Sequence, residues 1–484
     1  MDPARPPRPS APRARLAPLW APVLACLSLA LGCGARSDLS AFDGQGGSGA
    51  GPTSGGGGTG GQTTTGSTTT STTDTTTSTT TTTVTVDPLT CAKLVIDGLP
   101  LSPSPVTPDN KQALPWIART QADSSGAALV YPEDPAFSGP PFPIGSVPVS
   151  APWGAWPASL GATAIHLTTT GFVVGHGREG TFSLFTTDEP NNMGVPSGMV
   201  MWAPKPGVGG ANGQFFDDVP PGYPVIAAAN AGHFLAGHVR VLGGILSHLS
   251  LARVTIGDPK GSFLDPAACA QGGLTGGAIP LGQGYLALVS SGRPFGTCLQ
   301  DDLPDGPPSR VQLVSLPPDL PGAKLLFEHD EPQTQVSQAR VIEAPGGAWA
   351  AWERVPFQPP FVRRIQLLQL GADGLPLTGE VVEVSYGNVA LPFAVAGLGS
   401  SLALAGVELD PAGAKSLVVR VLEPDGGPIG AIALFAEDGF ELDPNVSILP
   451  SPAGDKLLIS WAESSAINND GRRVRLARIA CSGP

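Results

Sequence analysis

Apolar and polar residues alternate with a period of two in short runs, and a glycine opens each run: GAALVY from Gly126, GFVVGH from Gly171, GHFLAGH from Gly232, GYLALVS from Gly284, GAWAAWE from Gly347, GSSLALAGVE from Gly399 and GDKLLISWAE from Gly454. A period of two sends successive side chains to opposite faces, so runs of this length between turn signals read as β-strands. The fullest unit spans residues 344–385. A Gly-Gly turn opens a strand over 348–353 and a polar loop follows. Ile365, Leu367 and Leu370 then alternate, Asp373-Gly374 makes a turn, and 380–385 forms a last strand. Asp-Gly between alternating runs is a strong hairpin signal, because the turn needs positive φ at residues that tolerate it.

The seven glycine-led strands recur about every 55 residues, near the spacing of four-stranded repeat units. A short strand precedes each, as at 163–167, 225–229, 340–343 and 446–449. A third and a fourth follow most of them, as at 311–315 with 324–327 and 417–422 with 431–435. Four strands per unit and seven units predict an all-β, seven-bladed β-propeller, each blade covering its neighbours' faces. The copies at Gly126 and Gly171 are the least regular, and six or eight blades fit the same pattern. The last unit has no fourth strand after 474–479, and residues 94–97 can supply it, closing the ring and removing exposed edges. Cys91 then stands beside Cys481. Cys269, in a loop between blades, and Cys298, in the loop after the next second strand, share one face. Of the three connectivities open to four cysteines, Cys91–Cys481 with Cys269–Cys298 keeps each pair on one face.

Composition agrees with a turn-rich β-protein: of 484 residues, 64 are Gly and 53 Pro, only 14% are charged, and 41% hydrophobic content suffices for a core. The formal charge is −13, although Arg5, Arg8, Arg13 and Arg15 precede residue 32, so the remainder is more acidic still. Such a body repels phosphate backbones, which argues against a nucleic-acid partner. Residues 43–86 are Gly-rich and then almost purely Thr and Ser. With nothing apolar to bury, this stretch reads as a flexible tether with a reach of about 40 Å, either unmodified or O-glycosylated. The expected organisation is a signal peptide over 1–32, a disordered tether over 33–90 and the propeller over 91–484.

The four arginines precede an uncharged run, 16–32, in the order of a secretory signal peptide. It is too short, and too broken by Pro18 and Pro22, for a membrane span. It ends Leu29-Ala30-Leu31-Gly32-Cys33, which resembles the lipobox of bacterial lipoproteins. The resemblance implies that Cys33 receives a diacylglycerol thioether and becomes the acylated N-terminus. Gly34 in place of Asp implies delivery to the outer membrane, periplasmic or surface-exposed. The alternative is ordinary cleavage that leaves Cys33 a spare thiol.

No Gly-x-Ser-x-Gly elbow lies outside the tether, and no phosphate loop or His-Glu-x-x-His helix is present. His233 and His238, five apart on a strand, project to opposite faces. No cofactor is called for. Asp301, Asp302 and Asp305 form the best calcium candidate but lack the Asp-x-Asp-x-Asp-Gly order, and a solvated acidic loop is the default reading. Trp352-Glu353 and Trp461-Ala462-Glu463 read as packing tryptophans at strand ends. Connections after second strands and between blades are the long ones, and they share a face. Assigned to it are Trp153, Trp156 and a loop from Trp202 to Phe215 and Phe216, followed by Asp217 and Asp218. The Asp301 to Asp305 loop, Phe357, Phe361, Asn468 and Asp470 complete it. Aromatic and polar residues on loops over a rigid scaffold make a recognition surface. The expected function is a membrane-anchored module binding protein or carbohydrate. The alternatives are a hydrolase or lyase acting in the central funnel and a passive envelope component.

Overall fold

A computed structural model describes residues 91, 93–103, 115–119, 126–132, 142–149, 151–160, 164–169, 172–177, 180–186, 199–204, 211–216, 222–230, 233–242, 245–255, 268–271, 275–295, 307–317, 323–344, 346–359, 363–384, 388–410, 412–423, 425–465 and 471–482. Their regular structure is entirely β. After β1 (Lys93–Ile96) come β2 (Trp116–Arg119), β3 (Ala127–Pro132), β4 (Phe142–Val149) and β5 (Ala164–Thr169), a sheet in that order. Next are β6 (Phe172–Gly177), β7 (Gly180–Thr186), β8 (Met199–Pro204) and β9 (Ala211–Phe216), then β10 (Gly222–Asn230), β11 (His233–Leu242), β12 (Ile245–Thr255) and β13 (Ala268–Gln271). β14 (Gly276–Leu281), β15 (Gly284–Ser291), β16 (Arg310–Leu316) and β17 (Lys324–Asp330) form another sheet. β18 (Thr334–Ala344), β19 (Gly347–Pro356), β20 (Arg364–Gly371) and β21 (Val382–Val384) form the next. β22 (Asn388–Leu398), β23 (Ser401–Leu409), β24 (Lys415–Leu422) and β25 (Pro428–Leu434) follow. β26 (Phe440–Pro450), β27 (Lys456–Ser465) and β28 (Arg472–Ser482) are joined by β1 in the last.

This is a β-propeller of antiparallel meanders, with six sheets among the described residues where seven were expected. The difference lies in β6 and β10. These two first strands pair in parallel, Ala228 with His176 and Ala229 with Gly177, so β6–β9 and β10–β13 make one eight-stranded sheet. Six of the seven glycine-led strands are second strands, as the pattern indicates. The one after Gly171 is instead the first strand, β6, because 164–169 is taken as fourth strand by β4. Alternation identifies a strand but not the neighbour that will claim it.

In the sheet β14–β17 burial peaks at the second and third strands and is least on the fourth. Every residue of β15 is buried, whereas fourth strand β17 is half-exposed to exposed throughout. A second strand is covered on both faces, so its sequence is continuously apolar rather than strictly alternating. The buried clusters lie between successive sheets. Trp352 packs with Leu286, Leu288 and Leu313, and Trp461 with Val419, Val421 and Ala405. The leading glycine has more than one physical reason. A Cβ on Gly284 or Gly347 would land on the carbonyl oxygen of Leu316 or Leu370 of the third strand, whereas Gly454 has φ +71°. The Asp373-Gly374 turn forms as read: Gly374 has φ +78°, and the Leu375 amide donates to Asp373 Oδ1 at 3.0 Å.

The ring closes as its ends require. β1 pairs with β28, Leu94 opposite Cys481 and Ile96 opposite Ile479. A disulfide joins Cys91 to Cys481, with Cα atoms 5.3 Å apart. Arg478 pins this junction through Asp97 (2.6 Å), the Pro152 carbonyl (3.0 Å) and the face of Trp156 (5.1 Å to the ring centre). Trp156 Nε1 in turn donates to Leu99 O at 2.9 Å. Trp153 and Trp156 thus pack against the core where the first and last sheets meet, rather than forming part of a recognition face. Their segment joins a third strand to a fourth, which puts it at the opposite end of the blades from the long connections.

Three further expectations are corrected. Cys269 lies on β13 opposite Ser250, not in a loop. Trp202 is on β8 opposite Gly213, and Phe215 and Phe216 are on β9 opposite Val200 and Met199. Trp202 therefore lies toward the turn between these strands and the two phenylalanines at their other end, so no single loop carries all three. The apolar runs MVMW and QFF supply enough β-forming side chains to pair.

Candidate functional site

The end of the propeller that receives the second-to-third-strand connections is built on a repeated ion pair. Glu353, Glu408 and Glu463 close the apolar runs of β19, β23 and β27, and each meets an arginine from β24, β28 or the approach to β20. Arg363 Nη1 lies 3.4 Å from Glu353 Oε1. Arg420 holds Glu408 in a two-pronged contact, with Nη2 at 2.7 and 2.8 Å from the two carboxylate oxygens. Arg473 Nε donates to Glu463 Oε2 at 2.7 Å, and Trp461 Nε1 to its Oε1 at 2.9 Å. A carboxylate this deep needs such partners, because leaving water without them is costly. Arg473 also covers the Phe440 ring at 3.8 Å and, with Arg475, binds Glu437, whose pKa is lowered chiefly by the Arg475 hydrogen bond.

The densest group lies where β17 leads into β18 and meets β19. Glu331 accepts from Trp352 Nε1 at 3.5 Å and lies 3.3 Å from His329 Nε2 and 3.5 Å from Arg354 Nε. Burial works to raise its pKa, but the contacts with His329, Trp352 and Arg354 outweigh it and hold the carboxyl below its ordinary value. Glu353 behaves oppositely. Burial raises it, against the lowering effects of Ser337, whose Oγ donates at 2.5 Å, and Arg363. Beyond Glu353, its cross-strand neighbour Ile365 lines a shallow recess of about 10 Å³, room for a single water, with Phe393, Leu404, Ala405, Gly406, Glu408 and Val418 on the facing sheet.

Inward from this rim, four of the first strands break register. Shifts occur at Pro224/Ile226 in β10, Ser337/Arg340 in β18, Ala390/Ala394 in β22 and Leu442/Val446 in β26. Pro224, Pro392 and Pro444 lie within three of these irregularities, where a residue without an N–H costs no ladder bond. In β18 there is no proline. Gln338 instead adopts φ +52°, and its Oε1 accepts from Arg340 Nη2 at 3.3 Å. Arg340 is half-buried, burial lowers its pKa, and its Nε is buried without a hydrogen-bond partner.

Of the residues expected at a recognition face, Phe357 follows β19 and is 44% exposed. Asp217, Asp218, Asp301, Asp302, Asp305, Phe361, Asn468 and Asp470 lie outside the described residues, as do Cys33 and Cys298. Among the described residues no group of three His, Cys, Asp or Glu side chains is placed to hold a metal. The ion-paired glutamates went unread in the sequence although a signal was there: each ends its glycine-led run, as in GAWAAWE, GSSLALAGVE and GDKLLISWAE.

No protein-family model matches the chain, and no curated protein matches it in sequence. Among solved structures it is similar to a protein of unknown function from Dyadobacter fermentans, with 12% identity, 82% of this chain and 100% of that one covered, and a TM-score of 0.45. It is also similar to the β-propeller domain of the Trilobed protease from Pyrococcus furiosus, with 6% identity, coverage of 76% and 93%, and a TM-score of 0.42. An alpha-L-arabinofuranosidase of Fusarium graminearum shows 7% identity, coverage of 80% and 98%, and a TM-score of 0.41. Likenesses this distant say nothing about activity.

Proposed function

We propose that the protein is a lipid-anchored module of the cell envelope that binds a protein or carbohydrate ligand at the end of the propeller carrying Phe357. The observation that supports this reading is the repeated ion pair of Glu353, Glu408 and Glu463, which fixes the strand ends from which the long connections start. Fixed strand ends reduce the ordering cost of binding, which is where affinity is otherwise lost. Cys33 supplies the anchor. Labelled palmitate is expected to enter the wild-type protein and not Cys33→Ser; incorporation that survives the substitution removes the anchor from the proposal. For the ligand, the purified chain is applied to a glycan array and to envelope extracts. Exchange of residues 357–362 for a Gly-Ser linker is expected to leave the melting temperature nearly unchanged and to reduce capture at least tenfold. Equal capture by the exchanged protein moves the site elsewhere.

One observation favours a hydrolase as second reading. Glu353, with a raised pKa, and Glu408, clamped by Arg420, end the second strands of neighbouring sheets, and carboxyls in unlike environments can divide acid and base roles. Turnover of any glycoside in a substrate panel, abolished in Glu353→Gln, would establish it.

A further inference from the structure

Arg340 differs from the other arginines that bury a nitrogen. Arg310, Arg354, Arg473, Arg475 and Arg478 also have a buried nitrogen without a hydrogen bond, but each lies within 4 Å of a carboxylate, and Arg340 does not. The first strands on either side, β14 (GGAIPL) and β22 (NVALPFAVAGL), carry no charged residue that could compensate it. The backbone around it is built close. The Ala339 amide donates to Thr275 Oγ1 at 3.4 Å, and a Cβ on Gly277 would come within 2.9 Å of the Arg340 Cα. Gln338 takes a left-handed conformation that a side chain tolerates only when its surroundings impose it, and a bulge of this kind re-aims the residues beside it. A guanidinium with an enclosed Nε and no counter-charge is unfavourable unless an anion arrives to complete it.

We propose that Arg340, with Gln338 beside it, is the subsite for a carboxylate group of the ligand. This deepens the binding reading above and rests on it: the ligand class becomes an acidic, uronate-type sugar. A carboxylate matches the planar donor set of arginine; Nη2 already donates to Gln338, and Nη1 has no partner among the described residues and is the donor left for the ligand.

The test uses the full chain and sodium glucuronate, with glucose plus sodium chloride at equal ionic strength as comparator. Glucuronate is expected to raise the melting temperature of the wild type, glucose is not, and Arg340→Gln should lose the response. Arg340→Lys keeps the charge without the fork and should weaken the apparent affinity at least tenfold. Ligand-free Arg340→Gln should melt at or above the wild-type temperature, since an uncompensated charge is removed. No glucuronate response in the wild type, or an equal response in Arg340→Gln, overturns the proposal. If the array captures ligands equally with wild type and Arg340→Gln, the subsite fails while the binding reading stands; capture of nothing by the wild type fails the binding reading itself.

Discussion

At the scale of single residues, the glycine that announces each repeat is explained by contacts rather than by flexibility alone. At Gly347 the third-strand carbonyl of Leu370 occupies the place of a side chain. Gly347→Ala is therefore expected to cost about 1–3 kcal/mol, as overpacking does, and chemical denaturation measures it. Two buried glutamates, Glu331 between β17 and β18 and Glu353 on β19, should titrate in opposite senses. Burial holds the folded pKa of Glu353 above its ordinary value of 4.5, so its contribution is fully present below about 4.5 and is lost as pH rises through the folded value. Glu353→Gln should thus compare more favourably with wild type at pH 7 than at pH 4 in thermal melts. Glu331, with a lowered pKa, contributes above 4.5 and loses that contribution as pH falls through its folded value. Glu331→Gln should be destabilising at pH 7, with a penalty that shrinks in acid.

At the scale of elements, the strands were legible because turn chemistry and apolar runs are local. The repeat from β18 to β21 and the donated strand β1 lie where the pattern placed them. What stayed illegible was pairing and side. Residues 164–169 form a strand, but only the fold shows that β4 and not β6 takes it. A long connection carrying Trp153 and Trp156 resembles a recognition loop until its position between a third and a fourth strand turns it to the other end. Arg340 was invisible for a related reason: its isolation depends on β14 and β22 flanking it. Trp461 illustrates the legible part, a tryptophan before the terminal glutamate of a buried run, 1% exposed between two sheets. Trp461→Ala is expected to cost about 3–5 kcal/mol in denaturant titration, combining lost burial with a cavity and the loss of a donor to Glu463.

At the scale of the molecule, the ring is held by its own two ends. Leu449, Leu458, Val474 and Leu476 of the last sheet pack with Ile117, Leu129 and Val147 of the first. Cys91 and Cys481 lock the strand that completes the last sheet. Cys91→Ser is expected to lower stability by about 2–5 kcal/mol, and a reducing agent should lower the wild type by a similar amount while leaving the variant unaffected. The Cys91–Cys481 bond also decides how the fold answers to tension. A pull on the chain upstream of Cys91 passes straight into Cys481 and bypasses the β1–β28 ladder, so the seam is not unzipped one rung at a time. Once the sulfurs are reduced, that seam bears the load itself, and the propeller acquires a weakest line along which it can be opened by drag.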